Sequence, residues 1–275
     1  MNTQSTSAPN NDILLLLNAS EGLLQIGLAE NSQITAWREC PAAGQGAETL
    51  IPALAEMLAE NGYARPQISR IACVRGPGSF TGIRLALTTA FGLSRAIARL
   101  DGQGPLLAGV DYLPLLTASA LAEAPGLPAN LVALWVITHA RRGQVNAQAF
   151  APGGAAINEP ETAGLNEAVA RISNLAASRP GSMALLGSGL TRNREEFARA
   201  LPHALLLPES LDHPTPAAML RLAEQTLYSR EPIVPFYLRP CDAEENLPGI
   251  AAGLGLDPEE AALALKRLQS RISIC

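Results

Sequence analysis

Lysine is all but missing from this 275-residue chain: Lys266 is the only one among 20 basic residues, and it lies far down the tail. That excludes a Walker-type phosphate loop, which needs Gly, four residues, then Gly-Lys-Ser/Thr. Histidine is scarce as well, and His139, His203 and His213 stand far apart. A helical metal pair needs i, i+3 or i+4 spacing for both rings to meet one ion, so a His-x-x-x-His site is absent. His203 and His213 read as loop or surface residues. The four cysteines (Cys40, Cys73, Cys241, Cys275) form no Cys-x-x-Cys pair. They read as reduced thiols of a cytosolic protein and not as a disulfide framework. No Gly-x-Ser-x-Gly elbow occurs, since Pro77 precedes Ser79 by two residues and Leu186 precedes Ser188. Residues 1–11 carry no basic residue, and the apolar run that follows, Ile13 to Leu17, is only five residues long. A signal peptide needs a cationic start and a longer apolar core, and a membrane span needs about 20 apolar residues. A cytoplasmic protein with a mobile tail over 1–11, and no membrane contact, is the expectation.

What is present points to an α/β fold. Hydrophobic residues make up 48% of the chain but aromatics only 4%, a balance that suits alanine- and leucine-rich helices packed on sheets. The length allows one or two domains with a full core. Net charge is −5, which argues against a phosphate-neutralising surface for nucleic acid. Ile13–Asn18, Leu23–Leu28 and Ile34–Arg38 read as an antiparallel meander, with turns at Glu21-Gly22 and Asn31-Ser32. A helix is predicted from about Thr49 to Asn61, with Pro52 in its first turn. A buried strand ends at Val74, a helix runs from about Ile83 to Ala98, and Leu106 to Val110 reads as a further strand. Pro125-Gly126-Leu127-Pro128 marks a break. Beyond it come a hairpin (131–138 and 145–150), a helix over 166–178, a strand over 183–186 and a helix from Pro216 to Tyr228. Gly187-Ser188-Gly189, which opens another helix, is either a vestigial phosphate loop or a tight turn. Asp257-Pro258-Glu259-Glu260 opens a last helix with acids at its positive end.

The most informative stretch is Arg75-Gly76-Pro77-Gly78-Ser79-Phe80-Thr81-Gly82-Ile83-Arg84. Three glycines and a proline in seven residues define a tight strand-to-helix turn, with Ser79 and Thr81 placed to cap the helix. Its wording resembles the central motif of the bacterial TsaB (YeaZ) family of tRNA threonylcarbamoyladenosine biosynthesis. Ile13–Ser20, Glu48-Thr49-Leu50-Ile51-Pro52, Ala140-Arg141-Arg142-Gly143 and Pro235-Phe236-Tyr237-Leu238-Arg239 match further family segments in order, so the resemblance spans about residues 13–240.

The resemblance implies an actin-like (ASKHA, ribonuclease H-like) two-lobed fold. The expected division is a tail over 1–11, a first lobe over 12–110, a second lobe over 111–240 whose last helix returns to the first, and a tail over 241–275 with a short helix. It also implies a non-catalytic subunit that binds and activates the TsaD transferase. The product would be N6-threonylcarbamoyladenosine next to the anticodon of tRNAs reading ANN codons. TsaE is the expected third protein, and self-pairing is expected when TsaD is missing. No cofactor of its own is expected, with a nucleotide only at the subunit junction and tRNA only through the complex. An independent actin-like ATPase or kinase, and a glycoprotease-like peptidase, are the alternative activities.

Three positions depart from the family pattern. Asn18-Ala19-Ser20 stands where relatives have Asp-Thr-Ser, Gly46 where many have histidine, and His139 where an acid often precedes Ala-Arg-Arg-Gly. Asparagine brings no negative charge to a hard cation, which weakens any Mg²⁺-dependent ATPase reading. On a helical wheel the apolar residues of the Ile83 helix cover roughly 240°, against the ~100° a surface helix needs. Either its own lobe encloses it, or its second side faces another chain. With the resemblance, Leu50, Leu54, Leu58, Ile83, Leu87 and Phe91 become the candidate partner-binding residues. Arg75, Gly76, Pro77, Gly78, Ser79, Phe80, Thr81, Gly82 and Arg84 form a structural glycine loop. Arg141 and Arg142, at a hairpin tip, are the candidate RNA or nucleotide contacts. No catalytic or metal-binding residue is expected.

Overall fold

The computed structural model describes residues 12–41, 46–239, 244 and 246–272; the tail expected over 1–11 lies outside them. The described residues up to Leu238 form one compact unit and those from Arg239 a second.

The first unit is built on two five-stranded sheets. One contains β1 (Ile13–Asn18), β2 (Leu23–Glu30), β3 (Gln33–Pro41), β4 (Ile68–Gly76) and β5 (Leu106–Asp111), in the order β3-β2-β1-β4-β5. The other contains β6 (Leu131–Arg141), β7 (Gln144–Phe150), β8 (Glu161–Gly164), β9 (Ser182–Leu186) and β10 (Leu205–Leu206), in the order β10-β9-β6-β7-β8. The two orders are the same pattern. In each sheet an antiparallel meander supplies three strands, and two more join parallel to its first strand. That repeat is the actin-like, ribonuclease H-like duplication.

Helices fill the layers around the sheets. They are α1 (Gly46–Glu60), α2 (Phe80–Asp101), α3 (Tyr112–Glu123), α4 (Leu165–Ser178), α5 (Ser188–Arg192), α6 (Arg194–Ala200) and α7 (Pro216–Gln225). The outer face of the first sheet packs on α1 and α2, where Ile13, Leu15 and Leu17 meet Leu54, Ile83 and Leu87. The inner faces of both sheets close on α3 and α7, where Leu14, Leu16, Leu134 and Val136 share one core with Leu116 and Met219. The outer face of the second sheet packs on α4, α5 and α6 through Ile172, Leu190 and Phe197. Because β1 is covered on both faces, its five consecutive apolar residues need no polar alternation.

Several elements differ from the sequence expectation. The first helix begins at Gly46, so Pro52 falls inside it and not in its first turn. Its ring lies on the exposed face, where the lost backbone bond does not leave a buried acceptor. Helix α3 was not foreseen: its residues Tyr112, Leu113 and Leu115–Ala120 are all buried, so it has no polar stripe to reveal a helical period. The helix opened by Gly187 stops after five residues and restarts as α6, and α7 ends at Gln225 instead of Tyr228. The short strand β8 was also unforeseen.

The second unit holds α8 (Leu247–Gly253) and α9 (Pro258–Ile272). The Leu256 N–H donates to the Ala251 carbonyl at 2.9 Å and closes the turn between them. The Glu259 N–H donates to the Asp257 carboxylate at 2.9 Å at the start of α9, with Glu259 and Glu260 in its first turn. Among the described residues no helix is long and apolar enough to cross a membrane.

Candidate functional site

The glycine loop lies against the turn between β1 and β2. The Ser79 N–H donates to the Ser20 carbonyl at 2.6 Å, and the Gly82 N–H donates to Ser79 Oγ at 3.2 Å as the N-cap bond of α2. A Cβ at Gly82 would overlap the Ala19 carbonyl oxygen, and one at Gly78 the Ser20 carbonyl. Gly76 has φ +127°, and a side chain there would run into the Phe236 carbonyl. The glycines thus permit backbone to approach backbone. Of the donors at this helix start, the Ser79, Gly82 and Ile83 N–H groups are taken up inside the chain.

Around this loop the remaining motif residues form a polar and aromatic collar. Arg75 Nε donates to Asp111 at 2.6 Å, and its guanidinium lies 5.7 Å from the Phe236 ring centre. The Phe236 N–H donates to the Arg75 carbonyl at 2.7 Å. Arg84 stacks 3.7 Å over the Phe80 ring and donates to the Tyr237 hydroxyl at 3.3 Å, while Phe80 and Tyr237 lie 5.1 Å apart. The glycine motif and the Pro-Phe-Tyr motif, about 150 residues apart in sequence, therefore form one structure. Pro77 is joined to Gly76 by a cis peptide, and Thr81 is exposed.

In the first loop Asn18 is committed to the chain's own network, while the buried Ser20 hydroxyl has no hydrogen-bond partner. Asn18 is buried: its Oδ1 accepts the Ser20 N–H at 3.0 Å, and its Nδ2 donates to Gln25 Oε1 at 2.8 Å. Gln25 Nε2 in turn reaches Glu39 at 2.8 Å and the Pro214 carbonyl at 3.0 Å. This network needs the amide donor at position 18, so the departure from Asp-Thr-Ser has a structural role here.

A junction that sequence reasoning missed links this loop to the second sheet. Ser188 Oγ, at the start of α5, donates to Glu21 at 2.6 Å and accepts the His139 N–H at 2.9 Å. The fully buried Tyr112 hydroxyl lies 3.3 Å from the other Glu21 oxygen and 3.2 Å from the Asp212 carbonyl. Loss of water raises the Glu21 carboxyl to about 7, against the pull of the Ser188 and Tyr112 hydroxyls. Burial likewise raises Asp212 to about 6, with Glu209 adding to it. Burial and the charge of Arg192 lower His139. Gly187 and Gly189 lean on β6 as Gly78 and Gly82 lean on the first loop: a Cβ at either would meet the Ile137 or Thr138 carbonyl. The only local signal was Glu21 beside Asn18-Ala19-Ser20; Ser188 is 167 residues away.

The partner-binding expectation requires correction at five positions. Leu50, Leu54, Leu58, Ile83 and Leu87 are all buried, because α1 and α2 spend these side chains on the outer face of the first sheet. Leu85 and Leu93 extend that cluster, so the lobe itself closes most of the wide apolar arc of α2. Phe91 is the exception at 39% exposure, joined by Ile51 at 49% on the adjoining helix. Arg141 and Arg142 are exposed at the β6–β7 turn, with Arg141 Nε donating to Gln144 at 2.8 Å. Among the described residues no three or more His, Cys, Asp or Glu side chains are placed to hold a metal ion.

Fold and junction define an actin-like α/β protein in which both glycine turns are closed by the chain's own backbone. A family model described as TsaD: tRNA N6-adenosine threonylcarbamoyltransferase matches residues 41–184, just over half of the sequence. The chain belongs to that tRNA-modification family, as a TsaB/YeaZ-like protein. YeaZ from Pseudomonas aeruginosa superposes with a TM-score of 0.60 at 21% identity, covering 82% of this chain and 100% of that one. A second Pseudomonas aeruginosa structure, of an uncharacterized protein with similarity to peptidase YEAZ, gives 0.60 at 21% identity, covering 83% and 100%. Among curated protein sequences no significant match is found.

Proposed function

We propose that this chain is a partner subunit that binds and activates a TsaD-type transferase in forming N6-threonylcarbamoyladenosine on tRNA, and that it carries out no chemistry itself. The observation that carries this reading is the outward face of α1 and α2. There, apart from Phe80, which stacks with Arg84 and Tyr237, Ile51 and Phe91 are the large apolar side chains exposed among the described residues of the two helices, while Leu50, Leu54, Leu58, Ile83 and Leu87 are buried. Isolated exposed apolar residues are ordinary, but two large ones on one helix pair give a docking patch its anchors. The commitment of Asn18 to an internal network, and the close approach of both glycine turns to the chain's own backbone, support the non-catalytic part. No nucleotide site of its own is assigned to the chain, and tRNA contact is assigned to the complex.

The test is reconstitution with the cognate TsaD, with and without this chain, reading threonylcarbamoyl transfer to tRNA. The expected result is co-purification and transfer that depends on adding this chain. Transfer by TsaD with TsaE alone at the same rate would overturn the activator role. Mg²⁺-dependent ATP hydrolysis by the isolated chain would overturn the non-catalytic one.

A further inference from the structure

Gly92 is out of keeping with its place in the middle of α2. Glycine is the poorest helix former short of proline, so an exposed helix interior normally carries another residue. In the glycine loop the chain's own backbone requires it: Gly82 and Gly78 make room for the Ala19 and Ser20 carbonyls. Gly92 has no such neighbour. Its backbone is helical, and a Cβ built on it would meet nothing within 4 Å. The residue is exposed, so bare helix backbone faces away from the lobe. How closely two helices approach is set by the side chains at their contact, and a missing one lets them come nearest.

The residues around Gly92 form a row. Arg84, Thr88, Phe91, Gly92, Arg95 and Arg99 fall within a ~100° arc of the helix and along ~22 Å of its length, and all are exposed. The row is cationic in a chain of net charge −5, because the one acid of α2 is Asp101 at its last position. Arg84 is held by the Phe80 ring and the Tyr237 hydroxyl. Among the described residues Arg95 and Arg99 have neither a hydrogen bond nor an ion pair. Arg99, in the last turn, complements the negative end of the helix, but Arg95 lies outside that turn.

We propose that a partner helix docks along this row, with its backbone closest at Gly92 beside Phe91 and its acidic side chains opposite Arg95 and Arg99. The seam rests on the partner reading above and specifies what the partner contributes there, a helix with an acidic face. The same charges disfavour a second copy of this chain. An antiparallel α2 pair centred between Phe91 and Gly92 would set Arg84 of each copy against Arg99 of the other. A parallel pair would set each arginine against itself, and like charges in contact select against the wrong partner. RNA phosphates would suit the arginines, but they do not require a helix stripped of its side chain at Gly92.

The test measures binding to the cognate TsaD by titration calorimetry, and melting of the isolated chain, for the wild type, Gly92→Ala, Gly92→Gln and the double variant Arg95→Glu/Arg99→Glu. Both Gly92 variants should melt higher than the wild type by about 2–4 °C, since each places a better helix former at an exposed site. Both should nevertheless bind less well, by a few-fold for Ala and at least ~10-fold for Gln. A variant that gains stability while losing affinity has not lost it by unfolding. The arginine variant should also lose at least ~10-fold, and wild-type affinity should fall as salt rises. Full affinity in either Gly92→Gln or the arginine variant overturns the seam and leaves the partner reading standing. No binding by the wild type overturns both. Sedimentation of the isolated chain and filter binding of tRNA separate the other occupants. A dimer that Gly92→Gln dissolves, or tRNA binding that the arginine variant abolishes, with TsaD affinity unchanged in either case, would also overturn the seam.

Discussion

Asn18 illustrates how much a single atom decides in this molecule. An aspartate there would present a second acceptor to Gln25 Oε1 and leave a buried charge without a partner. Asn18→Asp is therefore expected to cost at least ~1–3 kcal/mol at neutral pH. The loss should shrink as pH falls, because a protonated carboxyl donates to Gln25 as the amide does. Denaturant unfolding at pH 5 and pH 7.5 checks both the cost and its direction. Gly82 is the other sensitive position. Gly82→Ala forces the Ala19 carbonyl to move and is expected to destabilise by about 1–3 kcal/mol. Its measurement is a urea midpoint shift with unchanged slope. The sequence showed that position 82 belonged to a tight turn and that Ser79 stood where a cap belongs. It contained no sign of what the turn would touch, because Ala19 and Ser20 lie some 60 residues earlier in the chain.

At the scale of elements, helix pairs divide their apolar residues between lobe and surface. In α2 the buried positions Ile83, Leu87, Ala90 and Ile97 face the sheet, while Phe91, Arg84, Arg95 and Arg99 face outward. Phe91→Asp and Ile51→Asp are expected to leave the melting temperature within a degree or two, because neither side chain lies in the core. Each should weaken binding to TsaD by at least ~10-fold, read by titration calorimetry. Leu87→Asp, by contrast, should unfold the lobe and report nothing about binding. Helical periodicity marked which residues of α2 were apolar, but it could not tell an arc closed by a neighbouring helix of the same lobe from one closed by another protein. Helix α3 was illegible for the opposite reason: a helix buried on every side has no phase to detect. Strands were more legible, because the β1–β3 meander is local and its turn residues are explicit. Asn31 and Ser32 both adopt positive φ at the tight β2–β3 turn.

For the whole molecule, duplication is the organising fact. Two copies of one strand order share α3 and α7 between their inner faces, and each copy seats a glycine turn on the end of its own first strand. The family motifs indicated that architecture, whereas the residues at the junction between the copies were invisible, being scattered over positions 21, 112, 188 and 212. Net charge bears on function at this scale too. At −5, with Arg141 and Arg142 as the only adjacent exposed basic pair among the described residues of the first unit, the isolated chain is expected to bind tRNA more weakly than ~1 μM at physiological salt. Filter binding measures it, and sub-micromolar affinity would move RNA recognition from the partner to this subunit.

The segment after α7 also has a bearing on how the protein is made. Leu107 and Ser229 exchange two backbone bonds, at 2.7 and 2.9 Å, and Ile233 packs close to Gly109, so this stretch lies along the edge of β5. During translation β5 leaves the ribosome more than 100 residues before its cover. At the ~5–20 residues per second of synthesis, that edge stays unpaired for roughly 6–25 seconds. An open strand edge recruits other strands. Nascent chains of this protein are thus most vulnerable to mispairing in that interval, which is where a holding chaperone would have the most to do.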